Sequence, residues 1–128
     1  MEKYEETIEK IRKFNDERDW DQFHTPKDVA ISISLEANEL LELFQWKNEE
    51  EIKQKLEEDA EYKTAMKDEI ADIANYLFVL CDKIGVDLLE SVNSKLEKVK
   101  IKYPVERCRG RADKYTVYMD QKNRFDEK

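Results

Sequence analysis

Apolar residues recur along this chain at intervals of three and four, the period of helices that turn one face inward. Tyr4, Ile8, Ile11 and Phe14 mark a first stripe over about Glu2 to Trp20, and DERDWDQF (16–23) reads as its end and a turn. Thr25-Pro26-Lys27-Asp28 is a start signal: Thr as N-cap, Pro at the first helical position, Asp in the first turn. The stripe that follows (Val29, Ile33, Ala37, Leu40, Leu41, Phe44) predicts a second helix running to Trp46. Residues 48–59 are polar, either a short helix or a loose connector. A third helix is predicted over about 60–84, with Gly85 as its C′ residue. Asp87, with Glu90 three positions on, opens a fourth through Leu88, Leu89, Val92, Leu96 and Val99, and Tyr103-Pro104 closes it. Beyond Val105 the chain is charged and weakly patterned. The predicted class is all-α, four helices packed as a bundle.

Composition supports that class and narrows the chemistry. Two glycines and two prolines in 128 residues are too few for the turns of a sandwich or barrel. No run approaches 18 apolar residues and the start, MEKYEETIEK, has no apolar leader, so a soluble, unanchored chain with no membrane partner is expected. A net charge of −8 argues against a nucleic-acid polymer as partner, since such binding rests on neutralising phosphates. It does not exclude a small phosphorylated ligand reached through a divalent cation. Cys81 and Cys108 form no CxxC pair and are too few for a disulfide framework, which points to a reducing, cytoplasmic setting. His24 is the only histidine, so sites needing two imidazoles fall, the ferritin-like di-iron arrangement included.

The most informative feature is where bases are missing. Lys and Arg account for 23 of 128 residues, yet 29–46 and 68–82 contain neither, where the average would place about six. These stretches carry Glu36, Glu39 and Glu42, then Asp68, Glu69, Asp72 and Asp82. Glu36 and Glu39 are three apart on a helix, as are Glu69 and Asp72, so each pair projects from one side. Asp72 is also the single charge between Ile70 and Cys81, where a carboxylate needs water, a distant base or a metal. Each pair alone reads as a solvated edge. Together, on adjacent helices, they equally fit a site for a hard cation such as Mg²⁺ or Mn²⁺. Aromatic residues stand nearby: Trp20, Phe23 and His24 before the second helix, Phe44 and Trp46 at its end, Tyr76 one turn after Asp72. They suit lids on a core or platforms for a nucleobase. Lys95, Lys98, Lys100 and Lys102, with Arg107, Arg109, Arg111 and Lys114, read as a solvated basic run.

At this point the residues form a recognisable series. SLEANELLELFQW (34–46) followed by DEIADIANYL (68–77) resembles the acidic double motif of the MazG-like all-α nucleoside triphosphate pyrophosphohydrolases, in particular their dCTP pyrophosphatase branch. RDWDQFHTPKD (18–28), YPV (103–105) and KYT (114–116) flank it in matching order, so the likeness spans about 3–116, one domain over 1–116 with a charged tail over 117–128. The resemblance implies Mg²⁺-dependent hydrolysis of a (deoxy)nucleoside triphosphate, dCTP or a modified pyrimidine nucleotide, to monophosphate and pyrophosphate, as in nucleotide-pool sanitation. It assigns Glu36, Glu39, Glu69 and Asp72 as metal ligands, and Trp20, His24, Trp46 and Tyr76 to the nucleotide pocket. Lys95 falls on a phosphate-side lysine, with Lys98 a second candidate. Glu36 or Glu39 is the expected general base. The family commonly has Asn where this chain has Val99, which leaves base and sugar preference open. The resemblance also implies self-association, as a homodimer or homotetramer with aromatic side chains reaching a neighbour's pocket. The rival reading is a non-catalytic acidic helical interaction module. It accounts for the charge and the helices, but not for the base-free segments or the aromatic flanks.

Overall fold

A computed structural model describes residues 2–114, 116 and 117. Among these there is no strand: the elements are α1 (Glu2–Glu17), a 3₁₀ turn (Asp21–Phe23), α2 (Pro26–Glu42), α3 (Glu49–Glu58), α4 (Ala60–Ile84), α5 (Leu88–Lys102) and α6 (Val105–Cys108). The chain divides into two compact units, one ending at Val86 and one beginning at Asp87. Apart from Val117, the expected tail over 117–128 lies outside the described residues.

The caps set the boundaries. Thr25 accepts a hydrogen bond from the Asp28 amide and Pro26 opens α2. Asp59 does the same for Tyr62 at the head of α4, and Gly85, at φ 73°, closes that helix in the left-handed conformation that costs glycine least. Asp87 caps α5 through the Glu90 amide. The polar segment left open as helix or connector is a helix, because Asn48 accepts from the Glu51 amide and supplies its start. Two helices stop earlier than their apolar stripes predict. After α1, Asp19 turns the chain at φ 53°, and after α2 the chain leaves helical geometry and Trp46 sits at φ 66°.

In the first unit α4 is the axis, with α2 as its principal neighbour and α3 and α1 also against it. Val29, Ile52, Tyr62 and Val79 are the buried apolar residues. Two contacts fix the direction of α2 against α4. The Tyr62 hydroxyl donates to the Leu43 carbonyl (2.6 Å) near one end, and Lys83 pairs with Asp21 and donates to its carbonyl (3.3 Å) near the other. Residue numbers fall along one helix as they rise along the other, so the two run antiparallel. α1 is fastened to α4 by Arg12 on Asp82 and by the Tyr4 and Phe78 rings, 5.7 Å apart. The second unit contains α5 and α6. No described helix is long and apolar enough to cross a membrane.

Candidate functional site

The antiparallel register of α2 and α4 brings Glu36 opposite Glu69 and Asp72. One carboxylate oxygen from each lies within 4.8 Å of the others. Glu39, one turn along α2 from Glu36, is exposed and outside that set of three, yet close enough to act on both Glu36 and Glu69. The two base-free segments therefore meet at one place.

Like charges held together in partial burial resist ionisation. Desolvation, then the neighbouring Glu39, Glu69 and Asp72, push the Glu36 carboxyl up to about 7. Glu69 is raised as well, first by desolvation and then by Glu39 and Asp72, against a contact with Glu36 that acts in the opposite direction. Glu36 Oε2 and Glu69 Oε2 are buried with no hydrogen-bond partner. Among the described residues no Lys or Arg forms an ion pair with any of the four acids. Asp82 differs. Arg12, from 70 residues away, donates to both of its oxygens (3.0 and 2.6 Å) and holds its pKa below the usual carboxylate range. Orphaned, mutually repelling carboxylate oxygens form a hard-ligand set that fits a divalent cation such as Mg²⁺.

Beside the acids opens a cavity of about 470 Å³. Glu36 and Asp72 lie on its wall, continued along α4 by Asn75, Tyr76 and Val79. The turn between α1 and α2 contributes Trp20 and His24, and α1 contributes Thr7, Lys10, Ile11, Phe14 and Asn15. The rings meet in edge-on pairs, Phe14 with Trp20 at 5.5 Å and His24 with Tyr76 at 6.4 Å, and His24 Nδ1 is buried without a partner. Arg18 stacks 3.8 Å from the centre of the Phe14 ring and donates to the Phe14 carbonyl. The turn is anchored from α4 by Lys83 on Asp21, so Trp20 and His24 are held by the same helix that carries Asp72.

The structure thus brings together Glu36, Glu39, Glu69 and Asp72, and places Trp20, His24 and Tyr76 on the adjoining cavity. Trp46 does not line it and is 91% exposed. Lys95 and Lys98 are exposed on α5, in the second unit. Sequence reasoning missed Lys10, Asn15 and Asn75. Lys10 and Asn15 flank the apolar stripe of a helix whose charges are interleaved, so only the bend of the chain back to α4 reveals them. Asn75 lies inside the quoted motif but carries no charge to mark it.

A profile described as the MazG-like family matches residues 31–117. Over 116 residues the chain is 40% identical to dCTP pyrophosphatase 1 of Rattus norvegicus and 37% identical to that of Homo sapiens, covering 88% of this chain and 68% of each relative. A crystal structure of a pyrophosphatase from Archaeoglobus fulgidus superposes with a TM-score of 0.72 at 44% identity, covering 78% of this chain and 91% of that one.

Proposed function

This chain belongs to the MazG-like family, and from that premise we propose that it is a nucleoside triphosphate pyrophosphohydrolase, releasing monophosphate and pyrophosphate. The observation that carries this reading is the meeting of Glu36, Glu69 and Asp72 beside an aromatic cavity, with two carboxylate oxygens buried and unpartnered. The names of the relatives put dCTP first among substrates, and the resemblance of the sequence adds modified pyrimidine nucleotides. Glu36, Glu69 and Asp72 are the residues that would hold the cation, Mg²⁺ or Mn²⁺. When bound, that ion supplies charge neutralisation between phosphates and acids and a Lewis acid for the reacting phosphoryl group.

The remaining steps belong to side chains. Glu39, beside the three ligands but outside their set, is free to accept the proton of the attacking water, a role it shares as candidate with Glu36. The water oxygen bonds to phosphorus, the bridging phosphoanhydride bond breaks, and the electron pair leaves with pyrophosphate. Trp20, His24 and Tyr76 give the nucleoside a wall of flat faces with polar edges. For Lys95 and Lys98 as phosphate-side cations the support is the resemblance of the sequence around them. Trp46 serves the fold little: it is 91% exposed and in left-handed backbone, costly for an aromatic residue. That supports a functional use, as an aromatic face offered to the pocket of a second copy. Ile31 and Leu35 of α2 and Ile70 of α4, 48–59% exposed, are apolar surface on which copies of the chain would join as a homodimer or homotetramer. Cys81 and Cys108 form no disulfide, consistent with a cytoplasmic protein.

The test is a panel of nucleoside triphosphates with Mg²⁺, scoring monophosphate and pyrophosphate together. Equal amounts of both are expected from at least one deoxynucleotide. Orthophosphate with a diphosphate, or no product from any nucleotide, overturns the reading.

A further inference from the structure

The cavity wall carries two carboxamides that neither the acids nor the rings account for. Asn15, in the last turn of α1, and Asn75, between Asp72 and Tyr76 on α4, both line it. The Asn15 backbone carbonyl accepts from the amides of Arg18 and Trp20 (3.3 and 2.9 Å), so its position is set by the turn that carries Trp20. Among the described residues neither carboxamide makes a side-chain hydrogen bond. Asn is also a weak helix former in helix interiors, because its amide competes with the backbone. Asn75, interior to α4, therefore costs its helix something, and neither residue returns a side-chain bond. Each carries two N–H donors and a carbonyl acceptor on a residue of the cavity wall, Asn15 half-buried and Asn75 exposed.

Their place in the cavity indicates what those groups meet. Asn75 lies one turn along α4 from Asp72, a rise of about 4.5 Å. A ligand whose phosphates lie at the acids would extend its nucleoside into the cavity, whose wall carries the flat faces of Tyr76, Trp20 and Phe14. Ring faces hold any base alike. Distinguishing one base from another requires donors and acceptors matched to its edge. A single carboxamide can turn over and serve either polarity, whereas two from different helices fix it.

We propose that Asn15 and Asn75 read the nucleoside edge of the substrate and set its base preference. The ligand class is a nucleotide whose base presents an adjacent donor and acceptor, and the proposal rests on the nucleotide reading of the site. The test is kcat/KM across the triphosphate panel for the wild-type chain, Asn15→Ala and Asn75→Ala. Alanine favours helix, so both variants fold, and circular dichroism monitors this. For the preferred nucleotide kcat/KM falls about ten- to a hundredfold in each variant. The least preferred nucleotide changes less than about threefold, so the spread narrows. The stabilisation by Mg²⁺ alone stays at the wild-type value. A uniform loss across all bases, no change in either variant, or a wild-type chain indifferent to base overturns the proposal. A wild-type chain that hydrolyses no nucleotide overturns the functional reading itself, and this proposal with it.

Discussion

Two acidic stations on α4, ten residues apart at Asp72 and Asp82, meet opposite fates. Asp82 receives a fork of hydrogen bonds from Arg12, and its pKa falls. At Glu69 and Asp72 the facing helix brings more acid, desolvation and like charge raise the pKa of Glu69 and Glu36, and two oxygens remain unpartnered. In the sequence the stations look alike, since both fall in the base-free stretch 68–82. What separates them is the neighbour: α1 delivers Arg12 to one, α2 delivers Glu36 and Glu39 to the other. A carboxylate closed by an arginine fastens helices. Carboxylates packed together without a base repel one another and form a set whose repulsion a cation would relieve.

Substitution at the open station has the largest expected effect. Glu69→Gln or Asp72→Asn abolishes turnover, a loss on the order of a thousandfold or more, with the helical circular dichroism unchanged. Full activity of either variant with Mg²⁺ present removes that residue from the essential set. The next effect is a pH dependence. Folded Glu36 keeps its proton up to about 7, whereas in the unfolded chain it ionises near 4.5. Between those values the folded state binds more protons, so the metal-free protein loses stability as pH rises. A thermal-melting series from pH 4.5 to 8 should show that decline, saturating Mg²⁺ should remove it, and Glu36→Gln should flatten it. The variant should also raise the metal-free midpoint at pH 8 by a few degrees.

The closed station behaves in the opposite sense and more weakly. Asp82 contributes stability that is present above its unfolded pKa near 3.8 and lost as pH falls through the lower folded value. Both partners are more than a third exposed (45% and 40%), so solvent screening limits the loss in Arg12→Met to about 0–1 kcal/mol by urea denaturation. The response to Mg²⁺ should be untouched. Trp46→Ala should change the stability of the single chain least, within about 0.5 kcal/mol in the same assay, because the ring is 91% exposed.

The contrast also marks how far the sequence could be read. Helix starts and stops were legible at Thr25 with Pro26, at Gly85 and at Asp87, whereas the Asn48 cap was not read and left 48–59 open. The ends of α1 and α2 were not legible, because Asp19 and Trp46 turn the chain through left-handed backbone that their residue types do not announce. The acidic cluster was legible as an absence of bases over two segments that had to pack together. The same absence left Asp82 without a local counter-ion, and its partner Arg12 arrives from another helix, 70 residues away. The α1 wall of the cavity was hidden for the same reason. Lys10 and Asn15 look like solvated positions until α1 lies against α4. Local pattern reveals caps and faces, whereas partners across helices emerge only with packing.

The most direct test of the open station is a Mn²⁺ titration followed by electron paramagnetic resonance, which counts bound ions independently of turnover. The wild-type chain and Arg12→Met should bind Mn²⁺ saturably and release it to excess Mg²⁺. The double variant Glu36→Gln/Glu69→Gln, folded by circular dichroism, should bind at least about tenfold more weakly. Binding by the double variant at wild-type affinity and stoichiometry would contradict the claim that these carboxylates form the cation site.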